Sequence, residues 1–391
     1  MNALDEIRPV WAEIDLDNLA HNMREVKRNT REGVLITAVV KANAYGHGSI
    51  QSAKTFLENG ADRLAVATLS EAIELRNANI DVPILILGYT PKKQYSLVVK
   101  HNIIQTIYDY ENAKAFSKVA RDLNKTGIIH LKIDSGMGRL GFLPKDEAVE
   151  EIIKIFNLPN IKVEGIFTHF ATADENDKTY TNLQYKRFMK IIENLEEKGI
   201  SIPIKHVSNS AAIIDLPEYN LNMVRAGIMI YGFYPSHEVN KDRMDLKPAM
   251  TLKAKISNIK QVPKGTGISY GQIFITEGES KIATIPIGYA DGFTRMLTSK
   301  AEVFLKGQRV PIVGKICMDQ CMLDITGLED VNVEDEVVLF GYGEEGYPHV
   351  DEVAEKLGTI NYEIVCMIGR RVPRVYIENG RIIDIEDYLL D

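Results

Sequence analysis

Cysteine is scarce in this chain: three residues in 391, Cys317, Cys321 and Cys366. Three thiols cannot all pair within one molecule and are too few to staple a chain of this length, so they are read as reduced and the fold as held by burial. Cys317 and Cys321 have no companion histidines at zinc-site spacing, and no metal site is expected. Long apolar runs are also missing. The longest stretches, such as Ala226 to Tyr234, are too short to cross a bilayer and contain glycine. The opening residues, Met1 to Arg8, carry acids where a secretory leader would be basic and then apolar. No block of Lys and Arg stands out either. With 46 basic against 54 acidic residues the net charge is -8, which speaks against a nucleic-acid footprint or an anionic membrane surface. The chain has no Gly-x-x-x-x-Gly-Lys-Ser/Thr sequence for a nucleotide phosphate, no repeats and no low-complexity tract. These absences leave small-molecule chemistry, without nucleic acid or membrane, in the cytoplasm.

What is present is a 45% hydrophobic chain, long enough for two domains or for one barrel with an addition. Eight short β-branched runs, at 36–40, 64–67, 84–87, 103–107, 128–134, 163–169, 204–208 and 223–225, alternate with amphipathic stretches such as Ser70 to Asn77, Glu111 to Leu123 and Lys145 to Phe156. That rhythm predicts an α/β fold, a (β/α)₈ TIM-type barrel over 11–237. A doubly wound open sheet is the competitor, and eight even repeats favour closure. From Lys253 onward short strands recur between Gly and Pro turns, with a brief helical pattern at Val350 to Leu357. This predicts a mostly β C-terminal domain over 238–391, with residues 1–10 joining it.

The segment Val40-Lys41-Ala42-Asn43-Ala44-Tyr45-Gly46-His47-Gly48 sets a lysine at the end of an apolar run, directly before a glycine-rich turn. A lysine at the rim of an apolar interior loses hydration, and its neutral amine becomes available as nucleophile or base and for a Schiff base. In a barrel the reactive groups belong at the C-terminal strand ends. Asp134 to Arg139, Thr168-His169-Phe170, His206 to Ser210 and Arg225 to Ile228 all fall there. Taken singly, His169 and His206 read as structural histidines and Arg139 and Arg225 as ion-pair partners; their joint placement argues otherwise. Ser210 offers a hydroxyl where a helix begins, and Ala226-Gly227-Ile228 lets backbone amides approach closely, which suits a phosphate. A Schiff-base lysine facing a phosphate cradle suggests pyridoxal 5'-phosphate.

These motifs, with Asp134-Ser135-Gly136-Met137-Gly138-Arg139-Leu140-Gly141, Ser269-Tyr270-Gly271, Pro286 to Gly292, Cys317-Met318-Asp319-Gln320 and Ile360-Asn361-Tyr362-Glu363, closely resemble the alanine racemases over nearly the whole chain. One departure is Arg370-Arg371-Val372-Pro373-Arg374, where the family usually has Tyr-Arg-Val-Pro-Arg. The resemblance implies that Lys41 carries the cofactor and that Tyr45, Ser210, Gly227, Ile228 and Tyr362 hold its phosphate. It places Arg225 at the pyridine nitrogen with His206 behind it, His169 nearby, and Arg139 by the ring hydroxyl and the substrate carboxylate. Lys132 corresponds to the family lysine that becomes carbamylated. The resemblance further implies two-base interconversion of L-alanine and D-alanine, the latter for cell-wall peptidoglycan. Lys41 serves one face and Tyr270 of the partner in a homodimer the other, with Met318 and Tyr289 near the substrate. A phenol is a poor base at neutral pH, so it needs positive charge or hydrogen bonding nearby, from His169 and Arg225. The competing readings are a racemase of the same build acting on serine, lysine or a broader range of amino acids, a barrel decarboxylase, and a non-catalytic protein that binds pyridoxal phosphate.

Overall fold

The computed structural model describes Leu4 and residues 6–390. The chain divides into two compact units. One comprises Leu19–Ala44 and Ser49–Lys247; the other comprises the N-terminal segment up to Asn18, Tyr45–Gly48 and the chain from Pro248.

The first strand, β1 (Val10–Asp15), belongs to the second of these. The barrel strands are β2 (Leu35–Val39), β3 (Arg63–Val66), β4 (Ile84–Ile86), β5 (Ile104–Ile107), β6 (Gly127–Lys132), β7 (Ile161–Phe167), β8 (Ile204–His206) and β9 (Met223–Ala226). They pair in parallel in the order β8-β7-β6-β5-β4-β3-β2-β9. Hydrogen bonds from Asn222 N to Lys205 O (3.0 Å) and from Arg225 N to Ser208 O (3.1 Å) join the two ends. The eight strands coincide with the eight β-branched runs, and closure excludes the open sheet. Helices return the chain between strands. In Asp146–Phe156 the residues Ala148, Val149, Ile152 and Ile155 form the buried stripe, with Asp146 and Glu147 in the first turn, where negative charge complements the helix dipole. Among the described residues no helix is long and apolar enough to cross a membrane.

The other unit adds β10 (Met250–Lys255), β11 (Asn258–Val262), β12 (Gly267–Ile268), β13 (Phe274–Ile275), β14 (Ser280–Ile285), β15 (Glu302–Leu305), β16 (Gln308–Val313), β17 (Cys321–Asp324), β18 (Glu336–Phe340), β19 (Arg374–Glu378) and β20 (Arg381–Glu386). Ten of its strands form a sheet ordered β11-β14-β17-β16-β15-β18-β10-β1-β19-β20. Two sequence boundaries need correction. Residues 11–18 leave the barrel because β1 lies inside this sheet, antiparallel to β10 and parallel to β19 (Ala12 opposite Arg374). At the other end the barrel unit extends to Lys247 rather than 237, with Asn22 bonding Lys247 through both its amide nitrogen and its oxygen. A helix at Asn361–Met367 joins the one at Val350–Leu357 and was not foreseen from the pattern.

Arg374 is the polar anchor of this unit. Its fully buried guanidinium donates to the carbonyls of Gly46 (2.9 Å), Gly369 (2.6 Å), Val372 (2.5 Å) and Ile368 (2.6 Å). Each carbonyl left unpaired in a buried setting costs about 1–3 kcal/mol. Arg374→Met is therefore expected to lower the thermal midpoint strongly, by an amount worth roughly 3 kcal/mol or more. Calorimetry showing less than about 1 kcal/mol of loss would count against this role.

Candidate active site

The barrel unit carries Lys41, Lys132, Arg139, His169, His206, Ser210, Arg225, Gly227 and Ile228; the other unit carries Tyr45, Tyr270, Tyr289, Met318 and Tyr362.

Lys41 follows β2, and the chain then takes one turn of left-handed helix. Ala42, Asn43 and Ala44 have φ of 52°, 54° and 52°, and Tyr45 has φ 51°. Left-handed backbone costs a residue with a Cβ roughly 1–2 kcal/mol, so the turn must be imposed from outside. Glu71, in the helix Leu69–Asn77, accepts from Ala42 N (2.7 Å), and Asn43 Oδ1 accepts from Ser49 N (2.9 Å). The same Glu71 carboxylate takes Ala67 N and Thr68 N in a capping box. Sequence reading missed Glu71, although Thr68-Leu69-Ser70-Glu71 is a recognisable capping signature.

On β9, the strand paired with β2, Arg225 is buried opposite Thr37. It donates to His206 Nδ1 (2.8 Å), to the carbonyls of Thr168 (2.9 Å) and Val207 (3.0 Å), and to His169 Nδ1 (3.3 Å). Burial, with Arg139 adding repulsion, brings its guanidinium down to about 9, which still leaves it protonated at neutral pH. Burial and then the Arg225 cation push the half-buried His169 well below the usual imidazole range, so it is neutral. Lys132 lies buried at the end of β6 with its ammonium 4.1 Å from the centre of the Phe167 ring. Burial, followed by Arg225 and Arg139, holds it well below the usual lysine value. Arg139 itself is exposed. Its loop is wound around Asp134, whose carboxylate accepts from Gly136 N (3.1 Å), Gly138 N (2.9 Å) and Arg139 N (2.9 Å). Gly141 (φ 137°) lets this loop return, since a Cβ there would sit 2.3 Å from Asp134 N.

The cradle anticipated from sequence is assembled by one hydrogen bond. Gly227 N donates to Ser210 Oγ at 2.9 Å, which brings together the start of the helix Ser210–Asp215 and the 3₁₀ turn Ile228–Tyr231. With its lone pair engaged, the Ser210 hydroxyl keeps its proton to donate outward. Asn209 caps the helix by accepting from Ala212 N (3.1 Å). Lys41, Arg139 and Arg225 add positive charge, while the Asp134 carboxylate is spent on loop amides. Such a donor-rich, cationic rim fits a planar anionic group bearing a phosphate.

Sequence comparison gives this barrel its relatives. Family models for the alanine racemase N-terminal domain and the alanine racemase C-terminal domain match residues 14–235 and 249–376. The chain belongs to the alanine racemase family. It is 55% identical to the alanine racemase of Clostridium tetani, over 98% of this chain and 99% of that one. Among solved structures, the alanine racemase of Clostridium difficile is 50% identical with a TM-score of 0.95, covering 98% and 100% of the two chains. That of Bacillus anthracis with bound L-Ala-P is 41% identical with a TM-score of 0.94, covering 98% and 99%.

The non-barrel unit of this alanine racemase-family chain presents a second set of groups. Tyr45 is buried with its ring centre 6.1 Å from that of Tyr362, and burial, with Tyr362 and Cys366 adding to it, pushes its phenol above the usual range. Gly46 and Gly48 follow at φ 84° and 92°, where a Cβ would lie 2.2 Å from Val365 O and 1.8 Å from the Tyr376 hydroxyl. Tyr270, by contrast, is 68% exposed in the turn between β12 and β13. Ser269 before it has φ 63° and ψ -174° and donates to Lys315 O at 2.5 Å. Tyr289 N and Ala290 N donate to Cys317 O (3.1 Å) and Met318 O (3.0 Å). Exposed Tyr270, Tyr289 and Met318 thus share one backbone framework.

Proposed function

We propose that this protein interconverts L-alanine and D-alanine with pyridoxal 5'-phosphate. The observation that carries the reading is the protonated Arg225, locked by four acceptors on the same barrel rim as Lys41 and the Ser210–Gly227 cradle. When bound, the cofactor supplies an electron sink that acidifies the substrate's Cα–H. Lys41 holds the cofactor and, once released, moves a proton on one face. Ser210, Gly227 and Ile228, with Tyr45 and Tyr362, hold the phosphate. Arg139 takes the substrate carboxylate. The partner subunit's Tyr270 serves the opposite face in a homodimer, with Met318 and Tyr289 narrowing the pocket to a short side chain. Dimerisation is supported by exposed apolar side chains on the unit that carries the tyrosine, with Ile273, Ile275, Met296 and Met318 each about half exposed or more. Lys132, buried beside two guanidiniums, is suited to carbamylation. Its neutral amine adds to carbon dioxide and loses a proton, putting an anion where an uncharged group stood, facing Arg225 and Arg139. The enzyme is an isomerase of the cytoplasm that supplies D-alanine for peptidoglycan.

A guanidinium cannot give up its proton under ordinary conditions, so Arg225 cannot favour a protonated pyridine as a carboxylate would. Arg225→Glu is therefore expected to slow racemisation and raise the ratio of transamination to racemisation several-fold. Unchanged partitioning, measured as keto acid formed per proton exchanged, would reject this role. The function itself is tested by circular dichroism. The signal of L-alanine should decay to zero in the presence of enzyme and cofactor, and a flat trace with L-alanine alongside decay with L-serine would identify a serine racemase of the same build.

A further inference from the structure

A chain of buried polar side chains runs through the barrel away from its mouth. Strands β6 and β7 pair out of step: Ile129 faces Val163, whereas His130 faces Gly165, so Glu164 is a bulged extra residue. Bulges re-aim side chains, and here Glu164 Oε2 accepts from Arg63 NH1 at 2.6 Å and lies 3.2 Å from His130 Nε2. Room for the His130 ring exists because residue 165 is glycine; a Cβ there would lie 2.5 Å from His130 Cε1. His130 Nδ1 is 3.0 Å from His206 Nε2, and His206 Nδ1 is 2.8 Å from Arg225 NH1. The His206 ring lies flat on Phe167, with centres 4.6 Å apart and planes 7° apart.

The direction of donation along this chain is fixed at both ends. A guanidinium only donates and a carboxylate only accepts. His206 Nδ1 must therefore accept, its proton sits on Nε2 and is given to His130 Nδ1, and His130 carries its own proton on Nε2 toward Glu164. Burial holds both imidazoles below their ordinary range, hence neutral. The hydrogen bond from His130, reinforced by Arg63, brings the Glu164 carboxyl down to about 2 despite its partial burial.

We propose that Glu164 is a positioning residue: through His130 and His206 it selects the tautomer of His206 that presents Nδ1 as an acceptor to Arg225, and so fixes the orientation of the guanidinium at the barrel mouth. Without an acceptor at position 164 both rings can take the other tautomer, with the proton on Nδ1, which sets N–H against N–H between His206 and Arg225. The consequence for turnover rests on the function proposed above, whereas the tautomers do not.

The test uses holoenzyme labelled with ¹⁵N-histidine, whose ring nitrogens report tautomer and charge directly by NMR, in the wild type, Glu164→Gln and Glu164→Met. In the wild type His130 and His206 should both be neutral with the proton on Nε2. Glutamine retains an oxygen that accepts from His130 and should keep that pattern. Methionine, of similar length but without a strong acceptor, should give mixed tautomers at both rings. In the same variant kcat should fall roughly tenfold, on the scale of losing an outer hydrogen-bond partner, with KM little changed. A folded Glu164→Met with unaltered ring nitrogens would overturn the proposal. So would a wild-type His206 protonated on Nδ1 or on both nitrogens, a result that stands even if the methionine variant does not fold. Intact tautomers in a protein that fails to racemise alanine would instead overturn the proposed function alone.

Discussion

Lys41→Ala is expected to abolish racemisation, with a loss on the order of 10⁴-fold or more, the scale seen when a group that forms the covalent bond is removed. The visible absorbance of the lysine-bound cofactor should vanish with it. The expectation rests on where the amine is held. Four consecutive non-glycine residues after Lys41, Ala42 to Tyr45, have left-handed φ, and Glu71 and Ser49 hold that turn through Ala42 N and Asn43 Oδ1. Strain of this kind persists only where surrounding structure over-determines it, which is common at ligand clamps. Lys132 at the end of β6 is held apart from this turn, its ammonium 4.1 Å from the centre of the Phe167 ring. Retained absorbance and retained turnover in Lys41→Ala would remove this lysine from the chemistry.

Tyr270→Ala should produce the second largest effect, and an asymmetric one. Removing a general acid or base costs about 10²–10⁴-fold, and with one base per face the loss falls on proton exchange from one enantiomer. Deuterium incorporation from heavy water into L-alanine and D-alanine, measured separately, reads this out. An equal loss from both would contradict separate faces. The exposed tyrosine also predicts complementation. Mixing Lys41→Ala with Tyr270→Ala protomers should restore about a quarter of wild-type activity, because random pairing makes half the dimers mixed and each has one complete site of two. No recovery after verified exchange would mean that lysine and tyrosine act from the same chain.

The barrel was readable because its strands are short apolar runs at even intervals, and burial on both faces favours such residues. The β1 boundary was not readable. Val10–Asp15 looks like any first strand, and its assignment depends on pairing Ala12 with Arg374, an interaction with no local signature. The glycines after Lys41 suggested a turn, yet the left-handed stretch begins before them, at Ala42, Asn43, Ala44 and Tyr45, and the glutamate that bonds Ala42 N lies on another helix. Glu164 carried no signal, because a bulge is a mismatch between two strands rather than a property of one.

Residue identity alone marked which groups can do chemistry here, since an amine, a phenol, a guanidinium and a hydroxyl keep their bonding capacities in any fold. Their charge, tautomer and direction came from the folded chain. Burial neutralises His169 and His206, a hydrogen bond joins Ser210 to Gly227, and one out-of-step residue turns Glu164 toward His130. Solvation and hydrogen-bond partners are settled by neighbours distant in sequence, and these became visible only once the chain had closed on itself.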